Sequence, residues 1–321
     1  MLSYHRGAID ENMGVMLTIT SLGRTSSPAR VREPRREPLC VGAVQLQWHP
    51  SPEAHVAALR EGAEIAASLG AQLICFQELT LSGYFADVEP TTAPSRVAES
   101  IDDGPTRHFA TQLARELGVA IHVSLYERIS DDDPLGFNTA IVVAPDGALL
   151  VRTRKLHIPV TAGYYEDRYF RPGPGGSESF PVVELAEGRL GFPTCWDQWF
   201  PELARAYSLA GAEVLVYPTA IGSEPDHPDF DTEPLWRSVI TANGIANGTF
   251  MVVVNRIGRE GVLTFYGSSF ISDPYGRILV RAPRDEPAVL VADLDLDQRD
   301  DWLTLFPFLS TRRPDTYGPL C

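Results

Sequence analysis

The sequence predicts an α/β layered sandwich built around one shared core. Short apolar segments with strand character alternate with amphipathic helical segments in two separate parts of the chain. Between those parts lies a strand-rich stretch whose segments are joined by turn residues. No low-complexity linker divides the chain after residue 38, so one domain is a better interpretation than two.

The first alternating part begins at residue 39. Apolar residues recur at helical spacing after Pro52, and Gly70 and the Gly104-Pro105 breaker separate helices from their neighbours. The predicted elements are a strand over 39–47, a helix over 52–69, a strand over 73–76 and a helix over 106–117.

The same signals predict the elements of the strand-rich middle stretch and of the second alternating part. Turns at 131–134 and 145–147 separate three strands, and a loop rich in glycine and proline spans 163–181. The predicted strands are 120–126, 138–143, 149–154, 190–194, 214–217 and 250–255, with helices over 199–210 and 233–247. Strands near Phe270, Ile278 and Val289 and a helix near 297–303 complete the pattern, which predicts two sheets, each covered by helices on one face.

The first 36 residues have a different composition. They are rich in Arg, Ser and Pro and lack a regular apolar period and the apolar centre of a signal peptide. We therefore expect residues 1–36 to form a mobile N-terminal extension and residues 37–321 to form the domain. Met13 and Met16 leave open a start further along the chain.

Composition excludes several classes of function. Hydrophobic residues make up 44% of the chain, which is ample for a core, and no apolar run approaches the ~20 residues that span a bilayer. A formal charge of −15 argues against a nucleic-acid partner. The four cysteines form neither a CxxC pair nor a metal-ligand spacing, so we expect a reducing, cytoplasmic setting and no metal or organic cofactor.

Cys195 is the first candidate for chemistry. It ends an apolar strand and precedes a predicted helix, and a thiol at a helix N-terminus is favoured as a thiolate and lies beside N–H groups that could bind an oxyanion. The alternative is a buried structural cysteine, an interpretation that suits Cys40 and Cys75, each inside a strand.

Two charged residues also follow strands. Glu78, in FQELTLSGY, has apolar neighbours that would raise its proton affinity, as a general base requires, although a surface glutamate before a turn is the simpler interpretation. Lys155, in RTRKLHIP, could provide a fixed positive charge for an oxyanion or belong to a solvated basic run. Together with Cys195 they supply a base, an oxyanion stabiliser and a nucleophile on three strand ends.

The three blocks FQELTLSGY, RKLHIP followed by GYYEDRYFRPG, and GFPTCWDQWFPELAR, in that order, resemble the nitrilase superfamily of C–N hydrolases from about residue 39 to 318. The resemblance implies a four-layer αββα sandwich in which Glu78, Lys155 and Cys195 meet in one pocket. It also implies a second pocket glutamate, Glu166, and association into a homodimer or larger homo-oligomer. An exposed acid in a polar loop is the alternative for Glu166.

Within the superfamily, CWDQWFPE, YPTAIGSEP and the tail RRPDTYG are most similar to N-carbamoylputrescine amidases. The segments Phe192-Pro193-Thr194 and Val160-Thr161-Ala162 depart from the usual pattern beside the pocket. The resemblance implies a small N-carbamoyl amine or amide substrate. The residues expected to contact it are Trp196, Tyr84, Glu224 and Asp226.

Glu224, Asp226 and Asp229 would pair with a distal ammonium if they border the pocket, or form a solvated acidic loop if they do not. A β-ureidopropionase-like enzyme or an aliphatic amidase is the alternative within the same chemistry. The carboxylate of N-carbamoyl-β-alanine would need a facing arginine, such as Arg168 or Arg237. A catalytically silent scaffold is the alternative from another class.

Overall fold

The computed structural model describes residues 3–6, 16–130, 132–176 and 178–320. Two large sheets pack face to face, and α-helices cover the outer face of each. This arrangement confirms the expected αββα sandwich. None of the helices in the described ranges is both long enough and apolar enough to cross a membrane.

Strands outnumber helices among the described residues. The strands are β1 (Ser3–Arg6), β2 (Leu17–Ser21), β3 (Leu39–Gln45), β4 (Leu73–Phe76), β5 (Ala120–Arg128), β6 (Gly136–Val143), β7 (Leu149–Arg154), β8 (Val183–Leu185), β9 (Gly188–Gly191), β10 (Val214–Pro218), β11 (Phe250–Val254), β12 (Ile257–Glu260), β13 (Leu263–Tyr266), β14 (Phe270–Ser272), β15 (Ile278–Arg281) and β16 (Ala288–Leu294). The α-helices are α1 (Pro52–Ser68), α2 (Pro105–Leu117), α3 (Pro201–Leu209), α4 (Glu233–Asn247) and α5 (Asp297–Leu305).

The first sheet has the strand order β1-β2-β16-β3-β4-β5-β6-β7. Helices α1 and α2 cover its outer face, where Leu59 and Phe109 pack against β4 and its neighbours. Helix α1 begins where the Ser51 side chain accepts a hydrogen bond from the N–H of Ala54. A Cβ at Gly62 would approach Val44 Cγ1 to 2.4 Å, so a glycine is required for the helix to pack this closely on β3.

The second sheet has the order β15-β14-β11-β10-β9-β8, and β12 and β13 form a separate hairpin. Helices α3 and α4 cover its outer face through Tyr207 and Trp236, among others. Between the sheets lies the largest apolar cluster, in which Val41 and Leu73 from the first sheet meet Val214 and Val252 from the second. Because β9, β10 and β11 are parallel, their carboxyl ends lie at one edge of this sheet.

Residues 16–36, which we call the N-terminal arm, require a correction to the expected domain boundary. Strand β2 pairs in parallel with β16, and Met16 and Ile19 are buried in the core. The arm then follows the surface to Arg36, which bonds Asp297 and Glu213 at 2.8 Å each. The separation at 36/37 was wrong for these residues because their partners lie some 180 to 270 positions away in the sequence. Residues 1–2 and 7–15 of the expected extension lie outside the described residues.

Candidate active site

Glu78 lies in the turn that follows β4, and its side chain is fully buried. Leu79 next to it has φ 51°, a left-handed conformation that is uncommon for a residue with a side chain. The turn is held by the buried guanidinium of Arg256, which donates to the carbonyl of Glu78 at 2.9 Å and to that of Ser82 at 3.0 Å. Arg256 is itself paired with Glu260 at 2.7 Å, so a fixed cation determines where the Glu78 backbone sits.

Lys155 directly follows β7, and its ammonium group lies between two buried carboxylates. Its Nζ donates to Glu78 Oε1 at 3.0 Å and to Glu166 Oε2 at 2.6 Å. Burial alone would lower the pKa of Lys155, but the charges of Cys195, Glu166 and Glu78 outweigh burial and raise it. The lysine is therefore a permanent cation, and the solvated basic run considered as an alternative is excluded.

Glu166 begins a short 3₁₀ helix, Glu166–Arg168, and is buried rather than exposed. Its Oε1 accepts a hydrogen bond from the Tyr84 hydroxyl at 2.9 Å. Burial raises the pKa of Glu166, and the Lys155 charge opposes that rise. We name Glu78, Lys155 and Glu166 the lysine cluster.

Cys195 is buried and has φ 42°, so its side chain is held on a strained turn. Strand β9 ends at Gly191 rather than at Thr194, since Pro193 cannot donate to a ladder, and residues 195–199 form a 3₁₀ helix before α3 begins at Pro201. Burial and the Glu78 charge raise the pKa of the thiol well above its ordinary value, while Lys155 opposes them. Burial thus opposes the thiolate that a helix terminus would favour.

Asp197 joins the two halves of the site. Its carboxylate accepts the N–H of Thr194 at 3.2 Å, next to the cysteine, and the N–H groups of Leu156 at 3.2 Å and His157 at 2.9 Å, next to the lysine. A single buried side chain thus fixes the turn of Cys195 relative to the strand end of Lys155.

A narrow cavity opens directly above Cys195. Its lining includes Glu166, Trp196 and Glu224, three of the residues expected from the sequence. Tyr84 is not in that lining, and its hydroxyl contacts Glu166 instead. Asp226 is exposed and also lies outside it, because the chain turns to the surface after Glu224, so its assignment to substrate binding needs correction.

Sequence reasoning missed three residues of this region. Tyr164 lines the cavity, and its hydroxyl accepts the N–H of Gly222 at 3.0 Å. Asn138 donates to Glu78, and Asp197 makes the contacts described above. Each had a weak signal, since Tyr164 and Asp197 stand two residues from Glu166 and Cys195, and Asn138 is an amide at the start of a buried strand.

No group of three or more histidine, cysteine, aspartate or glutamate side chains in the described ranges is arranged to hold a metal ion. The chemical groups brought together are a thiol, two carboxylates and one ammonium, all shielded from water. Such a set can form and hydrolyse a covalent acyl intermediate.

Comparison with known proteins agrees with this geometry. Residues 40–303 match the Carbon-nitrogen hydrolase family. The chain belongs to this family, within the nitrilase superfamily, and is a C–N hydrolase.

The chain is 38% identical to an N-carbamoylputrescine amidase from Arabidopsis thaliana over 90% of its length and 97% of the relative's. It is 34% identical to a citrullinase from Francisella tularensis over 87% of its length and 97% of that protein. Among solved structures, a carbon-nitrogen hydrolase from Helicobacter pylori G27 is similar, with a TM-score of 0.79 and 31% identity over 88% of this chain and 97% of that one.

Proposed function

We propose that this enzyme hydrolyses an N-carbamoyl amine that carries a distal ammonium group, such as N-carbamoylputrescine, with Cys195 as nucleophile. The observation that supports this chemistry is the unequal hydrogen bonding of the two oxygens of the Glu78 carboxylate. Its Oε1 accepts two hydrogen bonds, whereas Oε2 is buried and has no partner among the described residues. A buried carboxylate oxygen without a donor is available to accept a proton. In the proposed reaction it takes that of the Cys195 thiol, which in the structure donates to the Ala220 carbonyl at 3.9 Å.

In the first half-reaction, the thiol proton passes to Glu78 Oε2 as Sγ attacks the carbamoyl carbon. A bond forms between Sγ and that carbon, and the carbonyl electrons move to oxygen. Lys155 and the N–H of Trp196 would stabilise the oxyanion. When it collapses, the bond from carbon to the substituted nitrogen breaks, and Glu78 returns the proton to the departing amine.

The second half-reaction releases the enzyme. Glu78 takes a proton from water as the hydroxide attacks the thiocarbamoyl carbon. The bond from carbon to Sγ then breaks, the thiol recovers its proton, and carbamate leaves and decomposes to carbon dioxide and ammonia. Glu166 would hold Lys155 and orient the substrate throughout.

The preference for a cationic substrate is supported by Glu224, which lines the same cavity as Cys195. Burial raises the pKa of Glu224, and a bound ammonium would offset that cost. Neither Arg168 nor Arg237 lines the cavity, and they are paired with Asp167 and Glu233 instead. A substrate that ends in a carboxylate therefore meets no guanidinium there. The names of the amidase and citrullinase relatives are in keeping with an N-carbamoyl substrate.

The proposal is tested by measuring ammonia release from N-carbamoylputrescine, citrulline and N-carbamoyl-β-alanine. We expect kcat/KM to favour the first over the last at least tenfold, which corresponds to about 1.4 kcal/mol. Glu224→Gln should remove most of that preference, mainly through a higher KM for the cationic substrate.

Asp226→Asn is the matched control, because it removes a nearby carboxylate that does not line the cavity. It should leave the preference within about twofold of the wild type, as surface charges are screened by solvent. Equal or better use of N-carbamoyl-β-alanine by the wild type would overturn the choice of amine and leave the cysteine chemistry standing.

We also propose that the enzyme forms at least a dimer through α3 and the C-terminal segment. Leu209 at the end of α3, Leu305 at the end of α5 and Phe306 directly after it are large, exposed apolar side chains. A monomer by light scattering at micromolar concentration would contradict this assembly.

A further inference from the structure

Asn138 lies on β6 and is the second donor to the Glu78 carboxylate. Its Nδ2 donates to Glu78 Oε1 at 2.6 Å, and its side chain is buried. Its Oδ1 accepts a hydrogen bond from the Ser124 hydroxyl at 3.4 Å, and that hydroxyl oxygen in turn accepts the N–H of Leu79 at 3.2 Å. The amide is therefore held from the turn that carries Glu78, and its N–H points at the carboxylate.

The main chain of Asn138 also reaches the catalytic lysine. The N–H of Lys155 donates to the Asn138 carbonyl at 2.8 Å, at the point where β7 leaves the sheet. Asn138 thus holds both the side chain of Glu78 and the backbone of Lys155. Its Nδ2 and the Nζ of Lys155 donate to the same oxygen, Glu78 Oε1.

We propose that Asn138 is a positioning residue for the reaction: it occupies Glu78 Oε1 and leaves Oε2 as the oxygen that accepts the proton of Cys195. The inference rests on the proposed function. Two donors on one oxygen fix the plane of the carboxylate, which would otherwise rotate about its terminal bond. A donor N–H also favours the charged carboxylate that a base must present.

Other titratable or charged groups face Glu78 from the elements packed around it. They are Lys155, Glu166, Tyr84 and Cys195 at its side chain and Arg256 at its main chain. Replacing Asn138 leaves all of them in place, so a changed pH profile would report the lost amide donor.

The test is the variant Asn138→Leu, which keeps the approximate shape and removes the donor. We expect kcat to fall about 10- to 100-fold with KM changed much less, the usual effect of losing a supporting hydrogen bond at an active site. The rate of Cys195 alkylation by iodoacetamide, followed by mass spectrometry of its peptide, should fall as well. The pH dependence of that alkylation should also differ from the wild type's, because the Glu78 carboxylate has lost a hydrogen-bond donor.

Thr139→Val is the matched control. Thr139 is the next residue on β6, is equally buried, and donates to the carboxylate of Glu127 at 2.6 Å, outside the site. It should lower the melting temperature without changing the pH dependence of Cys195 alkylation. An Asn138→Leu enzyme whose kcat and alkylation match those of Thr139→Val would overturn the inference.

A second variant covers the case in which Asn138→Leu does not fold. In Asn138→Asp the ionised carboxylate faces Glu78 Oε1 and cannot donate to it, so alkylation should be slower than in the wild type at neutral and higher pH. A profile identical to the wild type would contradict the inference. Absence of Cys195 labelling in the wild type would instead contradict the proposed function, so the two failures are distinguishable.

Discussion

Two clusters of ion pairs in this molecule have different architectures. In the lysine cluster, one cation faces two carboxylates, the side chains are fully buried, and one oxygen of Glu78 has no partner among the described residues. In the N-terminal arm, Arg30 and Arg36 each face two carboxylates around α5 and are partly exposed, and Asp295 receives two arginines. The lysine cluster has few hydrogen-bond donors and is shielded from water, which suits proton transfer. The ion pairs of the N-terminal arm have many hydrogen-bond donors, which suits attachment of a chain segment to the surface.

Of the variants that distinguish the two clusters, Lys155→Met should reduce kcat the most. The oxyanion loses its cation and two carboxylates are left buried together, so we expect kcat to fall by roughly a thousandfold or more. The same change should lower stability, since breaking a buried pair leaves uncompensated charge. Adding Glu166→Gln should restore part of the melting temperature and none of the activity. A singly substituted enzyme with near-normal turnover would rule out the catalytic role.

A smaller effect should follow from loss of the arm. Removing residues 1–36 deletes β2 and exposes the edge of β16, so we expect the melting temperature to drop by several degrees. Turnover measured well below that temperature should stay within about twofold, because the surface pairs are screened and lie outside the active-site cavity.

Two single substitutions refine this expectation. Ile19→Ala removes a buried side chain of β2 and should reproduce part of the drop, whereas Val31→Ala, on an exposed part of the arm, should not. An unchanged melting temperature after both the truncation and Ile19→Ala would show that the arm contributes nothing to stability.

The sequence was informative where function depends on short local patterns. Glu78, Lys155 and Cys195 each come after a strand, β4, β7 and β9 respectively. Residues beyond strand ends are common at functional sites, even though these strands are not adjacent and β9 belongs to the second sheet. It was uninformative where partners are distant in the chain. The arm carries no regular apolar period, and the acidic partners of its arginines are Glu213 and residues between 295 and 301. A helix terminus was expected to favour the Cys195 thiolate, whereas burial opposes it beside a short 3₁₀ helix.

The placement of the acidic residues Glu224 and Asp226 also depends on the fold rather than on local sequence. Glu224 and Asp226 are two positions apart and both carry a carboxylate, so composition cannot tell them apart. Only the path of the chain decides that Glu224 borders the cavity and Asp226 lies in solvent.

The central claim is that Glu78 takes the proton of Cys195 so that the sulfur can form a covalent bond to the substrate. It is tested most directly by quenching the enzyme during turnover of N-carbamoylputrescine and analysing its cysteine peptides by mass spectrometry. We expect one carbamoyl group on the Cys195 peptide of the wild type, none on those of Cys40 and Cys75, and no adduct in Glu78→Gln or Cys195→Ser. An adduct that forms normally in Glu78→Gln, or that resides on another residue, would contradict the account.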